Sequence, residues 1–485
     1  MPKPRIQAKL TLFDVTNLVV GAIIGADIYI ASSFGAGFLG PLSLLVWITA
    51  AIIAIVIALC FSQCAALVSK AGGPYAYAKA AWGSFAGFVV GWSLWLAEWI
   101  SLAVFPVAFT RYLMFFIPDL DWAYQVFVKA IFVGFLMITN ILGMKAAGRT
   151  NDILTLIKIT PLIFFSGAGL IYIVSHTSEF ASNLSPFIPL GFSNFGTALV
   201  LIFWAYAGFE ISTIPADEIE KPRQTIPKAI VLGITIVTIF YLITNIVLFG
   251  VRPWHQLASD TTPIATATST ILGWSQTLSL TGGIFVGVGA LFSIAGSDES
   301  GMIGTSRLAY ALAADGLFPE VFARTHPKFK TPYLGIIIQS ATALIASIIG
   351  ELSMLVATSV FLLSVAYAAT SLSIFPLNRR IRGKHQARSG LLIPTLGTIF
   401  SIYLITQCTA TQILLGMIML FAGIPIYVRF TPKKELKELK EILVSKDFAL
   451  DKAYKEEEKF LAHLLHHIKK VYRSLTGKGQ TWKIS

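Results

Sequence analysis

The chain has 485 residues, 55% of them hydrophobic and only 13% charged, with a mean hydropathy of +0.74. That is too apolar for a water-soluble fold of this length and places the chain among integral membrane proteins. The net charge of +12 does not indicate nucleic-acid binding, because the basic residues are sorted by membrane side.

Residues 1–9 are short and basic, and the apolar run after them is too long for the h-region of a cleavable signal. Twelve apolar spans follow, near residues 11–37, 41–68, 80–115, 122–143, 152–175, 194–214, 226–250, 277–313, 333–350, 353–376, 390–407 and 411–429. A bilayer crossing takes ~20 apolar residues. Span 1 contains GAIIGADIYI at residues 21–30, two glycines and an aspartate at membrane depth. Glycine weakens a helix, and a carboxylate in hydrocarbon is costly. Non-helical backbone survives there only where protein covers it or where it lines a cavity. A break at residues 25–27 is expected, with Asp27 as a site candidate; the competing reading is an aspartate hydrogen-bonded to a neighbouring helix for packing alone.

Cys60 and Cys64 lie one helical turn apart in span 2 and, with Cys408, read as small core residues rather than as a disulfide or metal site. Span 3 carries Glu98 among Trp92, Trp95 and Trp99, as part of a charge network or as a packing residue. Lys158 lies inside span 5. An embedded lysine suits the loss and recovery of a proton, and the alternative is a side chain snorkelling to the cytoplasmic edge. Span 6 contains FWAYAGFE at residues 203–210, where Gly208 adjoins aromatics and Glu210, and a second break is expected there. Span 8 contains Ser297, Asp298, Glu299 and Ser300. Adjacent helical residues point ~100° apart, so the two acids face different partners. One is expected to reach span 1 or span 5, with Lys158 as the counter-charge, in a structural ion pair or a coupling role.

The connections test orientation. The N-terminus (Lys3, Arg5, Lys9) and the loops after even-numbered spans hold most of the basic residues, among them Lys70, Lys145, Arg223, Lys328 and Arg380. The other loops hold Arg111 and Arg252 beside Asp119, Asp121, Glu179 and Asp260. Lys and Arg accumulate inside, so both termini are expected in the cytoplasm of a multi-pass plasma-membrane protein. Spans 1 and 6, five apart, are both interrupted, and paired discontinuous helices point to a transporter built from inverted repeats. A broken helix frees N–H groups that attract anions and carbonyls that attract cations, and a zwitterion can bridge two breaks.

Residues 24–29 resemble the helix 1 signature I-G-x-G-I-F of the amino acid–polyamine–organocation family of secondary transporters. Gly72, Gly73, Pro74, Tyr75, Ala76 and Tyr77, followed by Gly83, Gly87, Phe88, Gly91 and Trp92, resemble its loop into helix 3. Residues 203–210 with Glu218, Pro222 and Pro227 resemble its helix 6 pattern. Ser306, Arg307, Asp315, Gly316, Pro319, Thr331 and Pro332 resemble the end of its helix 8 and the following loop. The similarity covers roughly residues 10–430.

The resemblance implies an all-α integral membrane fold of twelve helices: a five-plus-five inverted repeat with discontinuous helices 1 and 6, plus helices 11 and 12. The implied division is a cytoplasmic segment 1–10, a core 11–376 with repeats 11–175 and 194–376, helices 11 and 12 at 390–429, and a cytoplasmic tail 431–485. It implies a substrate site of Ile23, Gly25, Ala26, Asp27, Phe203, Trp204, Ala207 and Gly208. In it, N–H groups of Gly25 and Ala26 hold a carboxylate, Trp204 closes over the substrate, and carbonyls of Trp204 and Ala207 accept from the amine. Coupling residues would be Lys158, Asp298, Glu299 and Glu210, with Lys158 resembling a lysine that stands where sodium sits in sodium-dependent relatives. Asp27 departs from the family's glycine: it is a proton carrier, a partner for an internal lysine, or an anchor for an amine lacking a carboxylate.

The expected function is proton-coupled, sodium-independent amino acid transport. The alternatives are an amine or polyamine carrier or exchanger anchored by Asp27, and a sensor that no longer transports. No enzyme signature competes, and no cofactor or metal is expected. Expected partners are a small-molecule substrate, protons and the bilayer, with the chain a monomer or homodimer. Residues 111–124 contain no cysteine for a disulfide-linked single-span partner. In the tail, Leu461, Leu464, Leu465, Ile468, Val471, Tyr472 and Leu475 recur at helical spacing beside Lys469, Lys470 and Arg473. This reads as a basic amphipathic helix on the anionic leaflet, with His463, His466 and His467 as surface histidines.

Overall fold

The computed structural model describes residues 10–142, 144–386 and 390–431. The amphipathic segment of the tail, its histidines, and Lys3, Arg5 and Lys9 lie outside the described residues. Those residues form helices α1 (Leu12–Ile23), α2 (Ala26–Leu39), α3 (Ser43–Leu67), α4 (Pro74–Trp82), α5 (Ser84–Leu113) and α6 (Trp122–Leu142). Next come α7 (Met144–Ser175), α8 (Thr177–Asn183), α9 (Phe195–Phe203), α10 (Pro222–Val251), α11 (Trp254–Ser259) and α12 (Pro263–Ile271). The series ends with α13 (Gln276–Ala314), α14 (Tyr333–Ile349), α15 (Leu352–Gln386), α16 (Leu392–Gln407) and α17 (Ala410–Phe430). The single β-bridge among the described residues pairs Leu10 with Ile219.

Among the described residues, nine stretches are long and apolar enough to cross a membrane, with 12–67 taken as one; α14 and α16 are apolar but shorter. Their outward faces are apolar as well. On α6, Phe127, Ile131, Phe135 and Ile138 are all more than half exposed, and α17 presents Leu414, Ile418, Phe421 and Val428 in the same way. Residues three and four apart share one helical face, so these are continuous apolar stripes. Water would not tolerate them and hydrocarbon does.

Local chemistry sets where helices start and stop. Thr11 and Asp14 form a reciprocal capping box that starts α1. Pro74 opens α4, and Gly83, at φ +95°, separates α4 from α5, so the expected third span begins only at Ser84. The break in span 1 falls one residue earlier than expected, at Ile24 and Gly25, and Asp27 lies in the first turn of α2. Inside the bundle, α5 packs against α13 and α15, α10 against α1 and α3, and α7 against α13. Trp47 of α3, Tyr206 beyond α9 and Tyr241 of α10 interlock edge to face, with ring centroids 5.4 to 6.0 Å apart. Such pairs contribute ~0.5–1.5 kcal/mol beyond burial, and this triangle fixes the second interrupted segment against its neighbours.

Candidate functional site

The two interruptions meet. After α1, Ile24 is extended and Gly25 is the uncapped residue before α2. After α9, Trp204–Tyr206 form a 3-10 turn, Ala207 is extended, Gly208 takes φ +117°, and Phe209–Thr213 resume as 3-10 helix. A Cβ on Gly208 would lie 2.9 Å from the backbone carbon and oxygen of Ala22. The backbone of the second break therefore rests directly on α1. Only glycine combines that φ with that approach.

A helix end leaves carbonyls without intrahelical partners, and at the end of α1 side chains from three other helices take them. The Tyr241 hydroxyl lies 3.0 Å from the Ile23 carbonyl, and the one hydroxyl hydrogen of Ser297 is shared between the Ile24 carbonyl at 2.8 Å and the Gly21 carbonyl at 3.2 Å. Lys158 is fully buried and its Nζ also donates to the Gly21 carbonyl. Lys158 thus points into the bundle, against the snorkelling alternative. Its ammonium fills the carbonyl end of the half-helix, where a bound cation would otherwise find its ligands.

At the opposite pole, the start of α2, Asp27 is 4% exposed. Its carboxyl accepts from Tyr241 Oη at 2.7 Å and faces the N–H groups of Gly25 and of its own residue. Oδ1 lies 2.9 Å from the position a Cβ on Gly25 would occupy. The anion-attracting end of α2 is therefore covered by a carboxylate of the chain itself.

A cavity of about 30 Å³ opens where the breaks meet, room for about two waters. Ile23, Asp27, Trp204, Ala207 and Gly208 line it, whereas Gly25, Ala26, Phe203 and Glu210 stand behind its wall. Trp204 Nε1 donates to Ser101 Oγ at 3.2 Å and its ring tilts against Phe105 at 5.8 Å. The sequence reading missed the contribution of α5, from which Ser101, Leu102 and Phe105 join Glu98 in the lining. Their spacing of three, four and seven residues from Glu98 is one helical face. On an apolar helix that face carries no periodic contrast to reveal it.

The coupling candidates separate into three groups rather than one network. Lys158 lies nearest in charge to Asp27. Glu299 Oε2 accepts from Thr139 Oγ1 of α6 at 2.9 Å, and both oxygens of the buried Asp298 have no hydrogen-bond partner among the described residues. Ion pairs among the described residues include Lys79–Asp315, Arg252–Asp260 and Arg307–Glu218, whereas Lys158 Nζ is on the Gly21 carbonyl, so the expected pairing of Lys158 with Asp298 or Glu299 is corrected. The reason is rotational. Ser297, not its acidic neighbours, is the α13 residue that turns toward α1. Glu210 Oε2 accepts from the Gly208 N–H at 3.0 Å, and its carboxyl faces Glu98 and Tyr367.

Sequence comparison supplies the context for this geometry. A family profile described as amino acid permease matches residues 10–431. The chain is 27% identical to the branched-chain amino acid permease BcaP of Bacillus subtilis over 451 residues, covering 88% of this chain and 94% of the relative. It is 25% identical to the serine/threonine exchanger SteT of the same organism over 454 residues, covering 88% and 98%. It is 26% identical to the cystine/glutamate transporter of Homo sapiens over 447 residues, covering 88% and 86%.

Proposed function

The chain belongs to the amino acid permease family, and from that premise we propose that it carries amino acids by alternating access, coupled to protons and independent of sodium. The observation that supports this reading most is the meeting of two broken helices over one cavity, with Gly208 seated on Ala22. In the proposed architecture twelve spans form repeats 11–175 and 194–376 with two added helices, in the plasma membrane, with both termini cytoplasmic. A cavity with room for about two waters does not admit an amino acid. Substrate entry therefore requires the helices around it to part, which is the motion alternating access supplies.

Substrate recognition in this reading uses the breaks, with Trp204 as the closing aromatic and with Ile23, Gly25, Ala26, Asp27, Phe203, Ala207 and Gly208 around it. Lys158 accounts for sodium independence. A fixed positive charge on the Gly21 carbonyl opposes a second cation by ~4 kcal/mol at 4 Å and an effective dielectric of 20. A second reading rests on Asp27. Its carboxyl covers the N–H groups at the start of α2, which favours a substrate presenting an amine rather than a carboxylate at that pole.

The test is uptake of labelled amino acids into proteoliposomes. Uptake is expected to be equal in sodium and choline media, to rise as the outside is acidified, and to fall at least tenfold in Trp204→Ala. A saturable sodium requirement overturns the coupling, and uptake of amines with exclusion of amino acids selects the Asp27-anchored reading.

A further inference from the structure

A tyrosine hydroxyl carries one hydrogen, and Tyr241 Oη of α10 stands between two acceptors, the Ile23 carbonyl at 3.0 Å and Asp27 Oδ2 at 2.7 Å. Among the described residues it is the donor that reaches the Ile23 carbonyl, which is left over where α1 stops. Tyr241 is fully buried, and the edge-to-face rings of Trp47 and Tyr206 hold its hydroxyl at this point. The charged and titratable groups that face Asp27 are Tyr241, Lys158 of α7 and Tyr29 of its own helix. From α13, Ser293 and Ser297 present hydroxyls to the Gly25 and Ile24 carbonyls.

Counting hydrogens distinguishes two states. When Asp27 is ionised, the Tyr241 hydrogen goes to the carboxylate, the stronger acceptor, and the Ile23 carbonyl faces an oxygen lone pair with no hydrogen between them. When Asp27 is protonated, its own O–H donates to Tyr241 Oη, and the tyrosine hydrogen turns to the Ile23 carbonyl. Only the second state makes a hydrogen bond of both contacts. A buried carbonyl without a donor is unfavourable, and Ile23 lines the central cavity.

We infer that Tyr241 is a positioning residue that transmits the proton on Asp27 to the first helix break. Proton binding turns its hydroxyl onto the Ile23 carbonyl and caps the end of α1; proton loss withdraws that cap and loosens the break beside the cavity. The proton comes from water and returns to it, and the tyrosine keeps one hydrogen throughout. The same step removes the negative charge that covers the N–H groups of Gly25 and Asp27, so a substrate carboxylate is admitted in the state in which α1 is capped. The inference rests on the proton-coupled reading above and names the residue that links the proton to the helix break.

The test is hydrogen–deuterium exchange of the peptide covering residues 20–30 in the purified full-length protein, corrected for the intrinsic pH dependence of exchange and referred to α17 as an internal standard. Protection of this peptide is expected to be at least about fivefold greater at pH 5 than at pH 9. Tyr241→Phe keeps the ring and removes the hydroxyl, and it should lower the protection at pH 5 and flatten the difference between the two pH values. Asp27→Asn, whose amide donates to Tyr241 Oη without titrating, should hold the pH 5 protection at pH 9. A pH difference that survives at full size in Tyr241→Phe assigns the effect to Lys158 or another acid and overturns the inference, as does equal protection at both pH values in the unmutated protein. If Tyr241→Phe does not fold, loss of protection at pH 9 in Asp27→Asn overturns it equally. Exchange is read without substrate, so failure of this link is distinct from failure of proton-coupled transport, which the sodium dependence of uptake decides.

Discussion

Lys158 shows how one side chain can serve structure and charge at once. Its Nζ donates to the Gly21 carbonyl, which α1 leaves free by ending at Ile23. Hydrogen bonds from charged donors contribute ~1.5–3 kcal/mol, and without Lys158 the Gly21 carbonyl keeps only the longer contact with Ser297 Oγ at 3.2 Å. Lys158→Ala should therefore lower the melting temperature and, if Lys158 is the proton carrier, abolish uptake driven by a pH gradient. Lys158→Arg keeps the charge but holds its proton permanently, so it should fold and bind yet fail to transport. Counterflow and gradient-driven uptake measured on the two variants separate these effects. Gradient-driven uptake that survives in Lys158→Ala moves coupling to the acids. The charge itself was legible in the sequence as a lysine within an apolar span. Its acceptor was not, because Gly21 lies 137 positions away and is defined by where α1 stops.

The second break and the junction of α4 with α5 depend on glycine in different degrees. Gly208 has φ +117° and also lies where a Cβ would meet the Ala22 backbone at 2.9 Å, whereas Gly83 has φ +95° with nothing within 4 Å of the same position. A left-handed conformation costs a non-glycine residue ~1–3 kcal/mol, and crowding against backbone adds ~1–3 kcal/mol. Gly83→Ala should thus cost only the first amount and retain ligand binding. Gly208→Ala should cost both, push the second break off α1 and lose binding, as read by thermal unfolding and calorimetry on the two variants. Equal loss in both would mean that backbone strain alone matters and that the seat on Ala22 does not. At this scale the sequence predicted two breaks, and the structure refines the first to Ile24 and Gly25.

Across the whole molecule, the end where α4 meets the close of α13 is tied by Lys79 Nζ, 2.6 Å from Asp315 Oδ2, with the Tyr75 hydroxyl donating to the same oxygen. Partial burial pushes the Asp315 carboxyl up. The hydrogen bonds from Lys79 and Tyr75 and the charges of Lys79 and Lys70 outweigh it and hold the group below its ordinary value. A depressed carboxylate contributes stability that is present above the unfolded value, ~3.9, and is lost as pH falls through the folded one. Because both side chains are about a third or more exposed, the tie contributes ~1 kcal/mol or less. Asp315→Asn should lower the melting temperature slightly at pH 7, and the difference from the unmutated protein should vanish as pH drops below ~4. A difference that persists undiminished at low pH would assign the effect to packing.

Hydropathy and composition are local, and they sufficed for the membrane class, for the interrupted spans, and for Asp27, Lys158 and Glu210 as charges in apolar surroundings. Who faces whom is set by helix rotation and crossing, which no window along the chain contains. A single residue's difference in rotation, ~100°, brings Ser297 rather than Asp298 onto α1. It also decides that the acid on span 3 meets the acid on span 6 instead of Lys158, and that one face of α5 walls the cavity. The membrane-spanning class followed from the cost of transferring side chains into hydrocarbon, a property each residue carries alone. The site followed from contacts between residues about a hundred or more positions apart, a property that exists only once the helices have packed.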